Sequence, residues 1–213
     1  MARYKNGING PLSGKIGNVV AASYRGVDYL RSSPRASKKP VSVAQLERRK
    51  MFALVMSWLK PVLQLIGIGY QGATTGKTPM NAAISYHMRE AVMKMGPDFG
   101  IDFTKVIFSR GELMISFIVE FSSLVDAVLH IKWGDAPVTA FSRETDQATF
   151  VFYNAAKEAF VSFQDAALRG QKEVVLPLPR HFKGDAVHAY MFYVSAEGNQ
   201  VSTSLYLGLV LLA

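Results

Sequence analysis

The chain has 213 residues, 49% hydrophobic and 19% charged, with no cysteine. It is therefore long and apolar enough to bury a core, and disulfides, thiolate metal sites and thiol nucleophiles are excluded within it. Its net charge of +8 is uneven: residues 1–50 carry eleven of the 24 Lys and Arg but two of the 16 acids, a net +9, which leaves the remaining 163 residues at −1. A basic arm on a near-neutral apolar body points to a protein that grips a partner, not one that turns over a substrate.

Residues 1–41 read as an extended, glycine-rich basic arm, punctuated by Gly7, Gly10, Gly14, Gly17 and Gly26 and by Pro11, Pro34 and Pro40. Val19-Val20 and the set Tyr24, Val27, Tyr29 and Leu30 are β-compatible, which predicts a hairpin closed near Arg25-Gly26. The arm is too poor in apolar residues to fold alone, so its ordering is expected to need a partner surface. The opening Met-Ala-Arg-Tyr-Lys-Asn-Gly lacks the apolar core of a secretory signal. Cytoplasmic synthesis without a signal peptide is the expectation, with the final location left open.

Ser42-Val43-Ala44-Gln45 has capping-box spacing and predicts a helix start. Phe52, Val55, Leu59, Val62 and Ile66 recur at three- and four-residue steps as one apolar stripe. Pro61 should kink this helix near Ser57, whose carbonyl loses its i+4 donor. The most apolar run, Met51 to Ile68, is interrupted by Lys60 and Pro61, and no membrane span is expected. Glycines 67, 69, 72 and 76 end the helix. Thr78-Pro79 then restarts one, expected to run to about Met95 and to stop at Gly96-Pro97. Residues 42–104 are thus a two-helix middle segment.

From about Lys105 the period changes from 3.6 to 2. Strands are predicted near residues 112–121, 126–133, 147–154, 158–164, 172–178, 185–195 and 201–211, separated by turn signals such as Gly134-Asp135-Ala136-Pro137 and Glu197-Gly198-Asn199. Seven short strands at this spacing predict that residues 105–213 form an antiparallel β-sandwich, and the fold class is α+β. With Trp133 closing the second strand, Tyr153 in the third and Tyr190 in the sixth, this segment resembles an immunoglobulin-like or fibronectin type III module. Such modules are usually binding or spacer units, and the fold alone fixes no function.

The arm carries a more specific likeness. Gly10-Pro11-Leu12-Ser13-Gly14-Lys15-Ile16-Gly17-Asn18-Val19-Val20 resembles the opening of an uncharacterised bacterial family, a domain of unknown function common in Bacteroidota. Tyr24-Arg25-Gly26, Tyr29-Leu30-Arg31, Asn81-Ala82-Ala83, Ile101-Asp102-Phe103, Ser109-Arg110-Gly111-Glu112-Leu113 and Ser204-Leu205-Tyr206 follow in the same order. The likeness spans nearly the whole chain, departs from it over Leu207 to Ala213, and implies no activity.

Several motifs imitate chemistry. Gly67-Ile68-Gly69-Tyr70-Gln71-Gly72 satisfies G-x-G-x-x-G but follows a helix, whereas a dinucleotide loop needs a strand before it. Gly72 to Thr78 is one residue short of a phosphate-binding loop. Among the histidines, His130 and His188 fall on predicted strands that can bring them together across the sandwich, with no acidic cluster beside them. The pairs Asp98 and Asp102, Glu144 and Asp146, and Glu158 and Asp165 give no glycosidase signal, and no G-x-S-x-G is present. No enzyme, cofactor or metal is therefore expected. The expected function is that of a non-catalytic structural subunit, self-assembling into a virion-like particle, tube or filament. The residues making its contacts would be Arg3, Lys5, Lys15, Tyr24, Arg25, Tyr29, Arg31, Arg35, Lys38, Lys39, Arg48 and Arg49, with copies of the chain as partners. The same residues serve the first alternative, non-specific nucleic-acid binding, in which cations meet phosphates and tyrosines stack on bases. The second alternative is a surface adhesion module that uses the sandwich loops.

Overall fold

A computed structural model describes residues 2–3, 12–24, 26–35, 40–72, 76–134 and 137–213. The chain divides into two compact units, Met1–Val43 and Ala44–Ala213. In the first, strands β1 (Ala2–Arg3), β2 (Gly14–Ile16), β3 (Val19–Tyr24) and β4 (Val27–Ser32) form one antiparallel sheet in the order β1-β4-β3-β2. Tyr24 pairs with Val27 as the last pair of the expected hairpin. This is a single layer: among its described residues Ala21 alone is buried.

The second unit opens with α1 (Val43–Leu59). Its i→i+4 pattern gives way at Lys60–Val62 to a 3-10 turn holding Pro61, and α2 (Leu63–Gly69) continues it. A proline has no N–H to donate, and the helix tightens at Pro61 itself, later than the kink expected near Ser57. The stretch Val43–Gly69 is long and apolar enough to cross a membrane by length and composition alone. Its buried face is Val55, Leu59, Val62, Leu65 and Ile66. Phe52, expected in that stripe, is 49% exposed. Gly69 ends α2 in close packing, since a Cβ there would lie 2.1 Å from the Phe108 carbonyl oxygen.

Helix α3 (Pro79–Glu90) starts where Thr78 Oγ1 accepts the Asn81 N–H at 3.2 Å, with Pro79 in the first turn. It stops earlier than expected. Val92–Met95 is strand β5, paired with β6 (Asp98–Ile101) across Gly96-Pro97. Gly96 has φ +62°, and a positive-φ glycine followed by proline suits a two-residue hairpin turn as well as a helix end.

Strands β7 (Ile118–Ser123), β8 (Val128–Trp133), β9 (Gln147–Asn154), β10 (Ala159–Leu168), β11 (Glu173–Pro177), β12 (Ala186–Val194) and β13 (Leu205–Leu211) follow. They form a four-stranded sheet, β10-β9-β12-β13, and a three-stranded sheet, β11-β8-β7, both antiparallel. The fold class is α+β. The predicted first strand begins late because residues 112–114 bond to loops: Leu113 N–H donates to Val201 O and Met114 N–H to Phe141 O.

One core lies between the two sheets, where Leu129, Ile131 and Trp133 of β8 meet Phe150, Phe152, Ala189 and Met191. A second joins Val55, Leu59, Ile66 and Ile84 of the helices to Val151, Tyr190 and Phe192 on the other side of the four-stranded sheet. Strand β12 therefore serves two cores by alternation. Val187, Ala189, Met191 and Tyr193 face the second sheet, and Tyr190, Phe192 and Val194 face the helices.

Candidate functional site

Residues paired across an antiparallel ladder share a side of the sheet, and so do alternate residues along a strand. In the N-terminal sheet Lys15 pairs with Val20 and Val20 with Arg31; Ala22 pairs with Tyr29, and Tyr24 with Val27. Lys15, Tyr24, Tyr29 and Arg31 consequently share one side. Gly14, Ile16, Val19, Ala21 and Leu30 take the other, without a single base. Lys15, Tyr24 and Arg31 are exposed and Tyr29 is half-buried. Arg3 stands opposite Tyr29 in register. Arg35 is exposed just beyond β4, and Arg48 and Arg49 are exposed on α1 in the second unit. Lys5, Arg25, Lys38 and Lys39 lie outside the described residues.

Other polar chemistry is internal. Arg169 is buried at the end of β10. Its Nε donates to Asp146 Oδ2 at 3.1 Å and Nη2 to Met114 O at 2.7 Å, and its guanidinium lies 3.7 Å from the centroid of the Tyr193 ring. Tyr193 OH donates to Ser116 Oγ at 3.1 Å, and burial pushes that phenol up to about 12. No sequence signal marked this group, because its members come from loops and strands joined only by folding.

The histidines correct an expectation. His130 alternates with the inward Leu129 and Ile131 and so faces away from the core. His188 alternates with the inward Val187 and Ala189 on the other sheet, so both sheets separate the two. Acidic residues do surround His130: Glu120 lies 3.8 Å from Nδ1 and Glu173 3.5 Å from Nε2. Cross-strand register, invisible in the linear chain, brings them there. Among the described residues no group of three or more acids and histidines is placed to hold a metal.

Residues 11–208 match a family of unknown function, DUF6266. The chain belongs to the DUF6266 family. The match runs from the arm into β13, as the resemblance across the whole chain implied. A search of curated proteins returned no match.

A cleft of about 410 Å³ in this DUF6266 protein is lined by Gln71, Arg110, Glu112, Asn199, Gln200 and Thr203, among others. It sits where the loop after α2, the segment before β7 and the β12–β13 loop converge. Gly111 makes that convergence possible, because a Cβ there would lie 2.1 Å from Val201 O. A smaller recess of about 200 Å³ shares Asn199 and Gln200 and reaches Asp146, whose buried Oδ1 has no hydrogen-bond partner. The G-x-G-x-x-G stretch of this DUF6266 protein is a helix end. Gly69 O accepts the Arg110 N–H at 2.9 Å, so the second glycine serves packing against residues 108–110.

Proposed function

We propose that this protein is a non-catalytic structural subunit that assembles with copies of itself, its N-terminal sheet serving as the docking element. The supporting observation is the exposed single layer of β1–β4, in which one described residue is buried. A stable sheet must bury one face against another layer. The side carrying Ile16, Val19, Ala21 and Leu30 is the apolar one to be covered. Arms of net +7, with eight bases and one acid over residues 1–41, repel one another, so the favoured seat is the near-neutral body of a neighbouring copy, where Leu63, Val119, Leu209 and Leu211 are exposed. Such arm-to-body contacts are heterologous and build rings, tubes or filaments.

On this reading the two C-terminal sheets are a seven-stranded, immunoglobulin- or fibronectin-like sandwich that acts as the rigid body. The stretch Val43–Gly69 is its covering helix, not a membrane span, which agrees with the packing of Val55, Leu59 and Ile66 against Tyr190 and Phe192. The test is light scattering coupled to size exclusion. The full chain is expected to be multimeric at micromolar concentration. Deletion of residues 1–41 is expected to give monomer or dimer with the melting transition of the body retained. A full chain that is strictly monomeric overturns the proposal. The binding-module alternative draws on the loop-built cleft at Arg110, Glu112 and Gln200. A panel of soluble saccharides and peptides, scored by chemical shifts of those residues, tests it.

A further inference from the structure

We infer that the basic side of the N-terminal sheet is a platform for single-stranded nucleic acid. This rests on the register of β2–β4 and not on the assembly reading, which uses the opposite side of the same sheet. The charge is sorted by geometry: Lys15 and Arg31, the two described bases of β2–β4, point the same way, although 16 positions separate them in sequence. They lie in one row across the sheet, flanking Val20, with the strands about 4.8 Å apart. The sheet's one acid within these strands, Asp28, pairs with Ser23 and falls on the apolar side.

Two tyrosines complete the face. Tyr24 pairs with Val27 and Tyr29 with Ala22, which makes the two tyrosines diagonal neighbours. Their Cβ atoms are therefore roughly 7–8 Å apart, within reach of two successive bases. On β3 and β4 the residues between them are small, Ala22 and Val27, and Arg3 of β1 stands opposite Tyr29 in register. Tyr24 is 50% exposed.

Cations and stackable rings on one side of a sheet match the two needs of a single strand: phosphates to neutralise and unpaired bases to stack. A duplex presents phosphates but hides its base faces. An acidic protein satisfies the cations and leaves the rings without a role. The surrounding charge agrees, because the first fifty residues carry nine net positive charges. Binding is accordingly expected to be strong in low salt and indifferent to sequence.

The test is fluorescence anisotropy of the full chain with a labelled 20-nucleotide oligo-dT and a duplex of equal length, titrated from 50 to 200 mM salt. The single strand is expected to bind more tightly than the duplex. Lys15→Ala with Arg31→Ala should flatten the logarithmic salt slope by about 1.4, near 0.7 for each phosphate no longer neutralised. Tyr24→Ala and Tyr29→Ala should each weaken binding about fivefold or more, and the corresponding Phe variants should retain it, which separates stacking from loss of the sheet. Ile16→Ser, on the other side, should change the oligomeric state and spare oligonucleotide affinity. The inference is overturned by no anisotropy change at 50 mM salt, by equal affinity for the duplex, or by wild-type affinity in the Ala variants.

Discussion

Trp133 and Trp58 show how residue identity and residue environment part company. Trp133 ends β8 with its ring in the inter-sheet core and donates from Nε1 to Arg169 O at 2.8 Å. Trp133→Ala should cost about 3–5 kcal/mol, read as a loss of melting temperature. Sequence periodicity places Trp58 on a helix flank and predicts a milder effect. In the fold its ring lies 5.1–6.1 Å from those of His87, Phe103, Phe108, Tyr153 and Phe160. Trp58→Ala should therefore approach the cost of Trp133→Ala. Trp58→Phe should keep most of the stability, because a smaller aromatic ring retains much of this packing. A second residue-scale prediction concerns Asp146 and Arg169, whose side chains are 1% and 6% exposed. Asp146→Ala leaves a buried guanidinium without its carboxylate and should cost about 3–5 kcal/mol. Asp146→Leu combined with Arg169→Met should recover part of that loss in urea unfolding.

At the scale of elements, α3 carries a pH-dependent group. His87 is buried, its Nδ1 lies 2.8 Å from the Ala83 carbonyl oxygen, and burial lowers its pKa from 6.5 to about 4. The unfolded chain holds the extra proton between these values, so stability is full above pH 6.5 and declines as pH falls toward 4. The decline is on the order of 3 kcal/mol. His87→Met should flatten this part of the curve of unfolding free energy against pH, and a curve of unchanged slope would show that His87 is not its source. The end of α2 offers a steric counterpart. Gly69→Ala places a methyl against the Phe108 carbonyl and must push α2 from the strand-side segment, at about 1–3 kcal/mol. Denaturant midpoints check it.

For the whole molecule, burial predicts a hierarchy of opening. Strand β12 is covered on one side by the helices and on the other by the second sheet, with residues 189–195 all buried. Its amides should exchange last with solvent deuterium. Among its described residues the sheet β1–β4 has one that is buried, and it should exchange first in dilute protein, gaining protection as concentration rises if it docks on neighbouring copies. Protection of β3 that does not depend on concentration would speak against docking between copies.

The sequence by itself determined local matters. Alternation and turn residues located β9 at residues 147–154 and the pairing of β3 with β4, Thr78-Pro79 set the start of α3, and Pro61 set the break between α1 and α2. The uneven charge is also a property of composition alone. These signals are readable because dihedral preference and side-chain period act over a few residues. Tertiary structure decided the rest. It turned Val92–Met95 from the end of a helix into a strand, exposed Phe52, surrounded Trp58 with rings, and set His130 between Glu120 and Glu173. It also sorted Lys15, Tyr24, Tyr29 and Arg31 onto one side of a sheet. Each of these depends on which strand lies beside which and in what register. A single-residue slip reverses every face, so register follows from the summed burial of distant partners and not from any one segment.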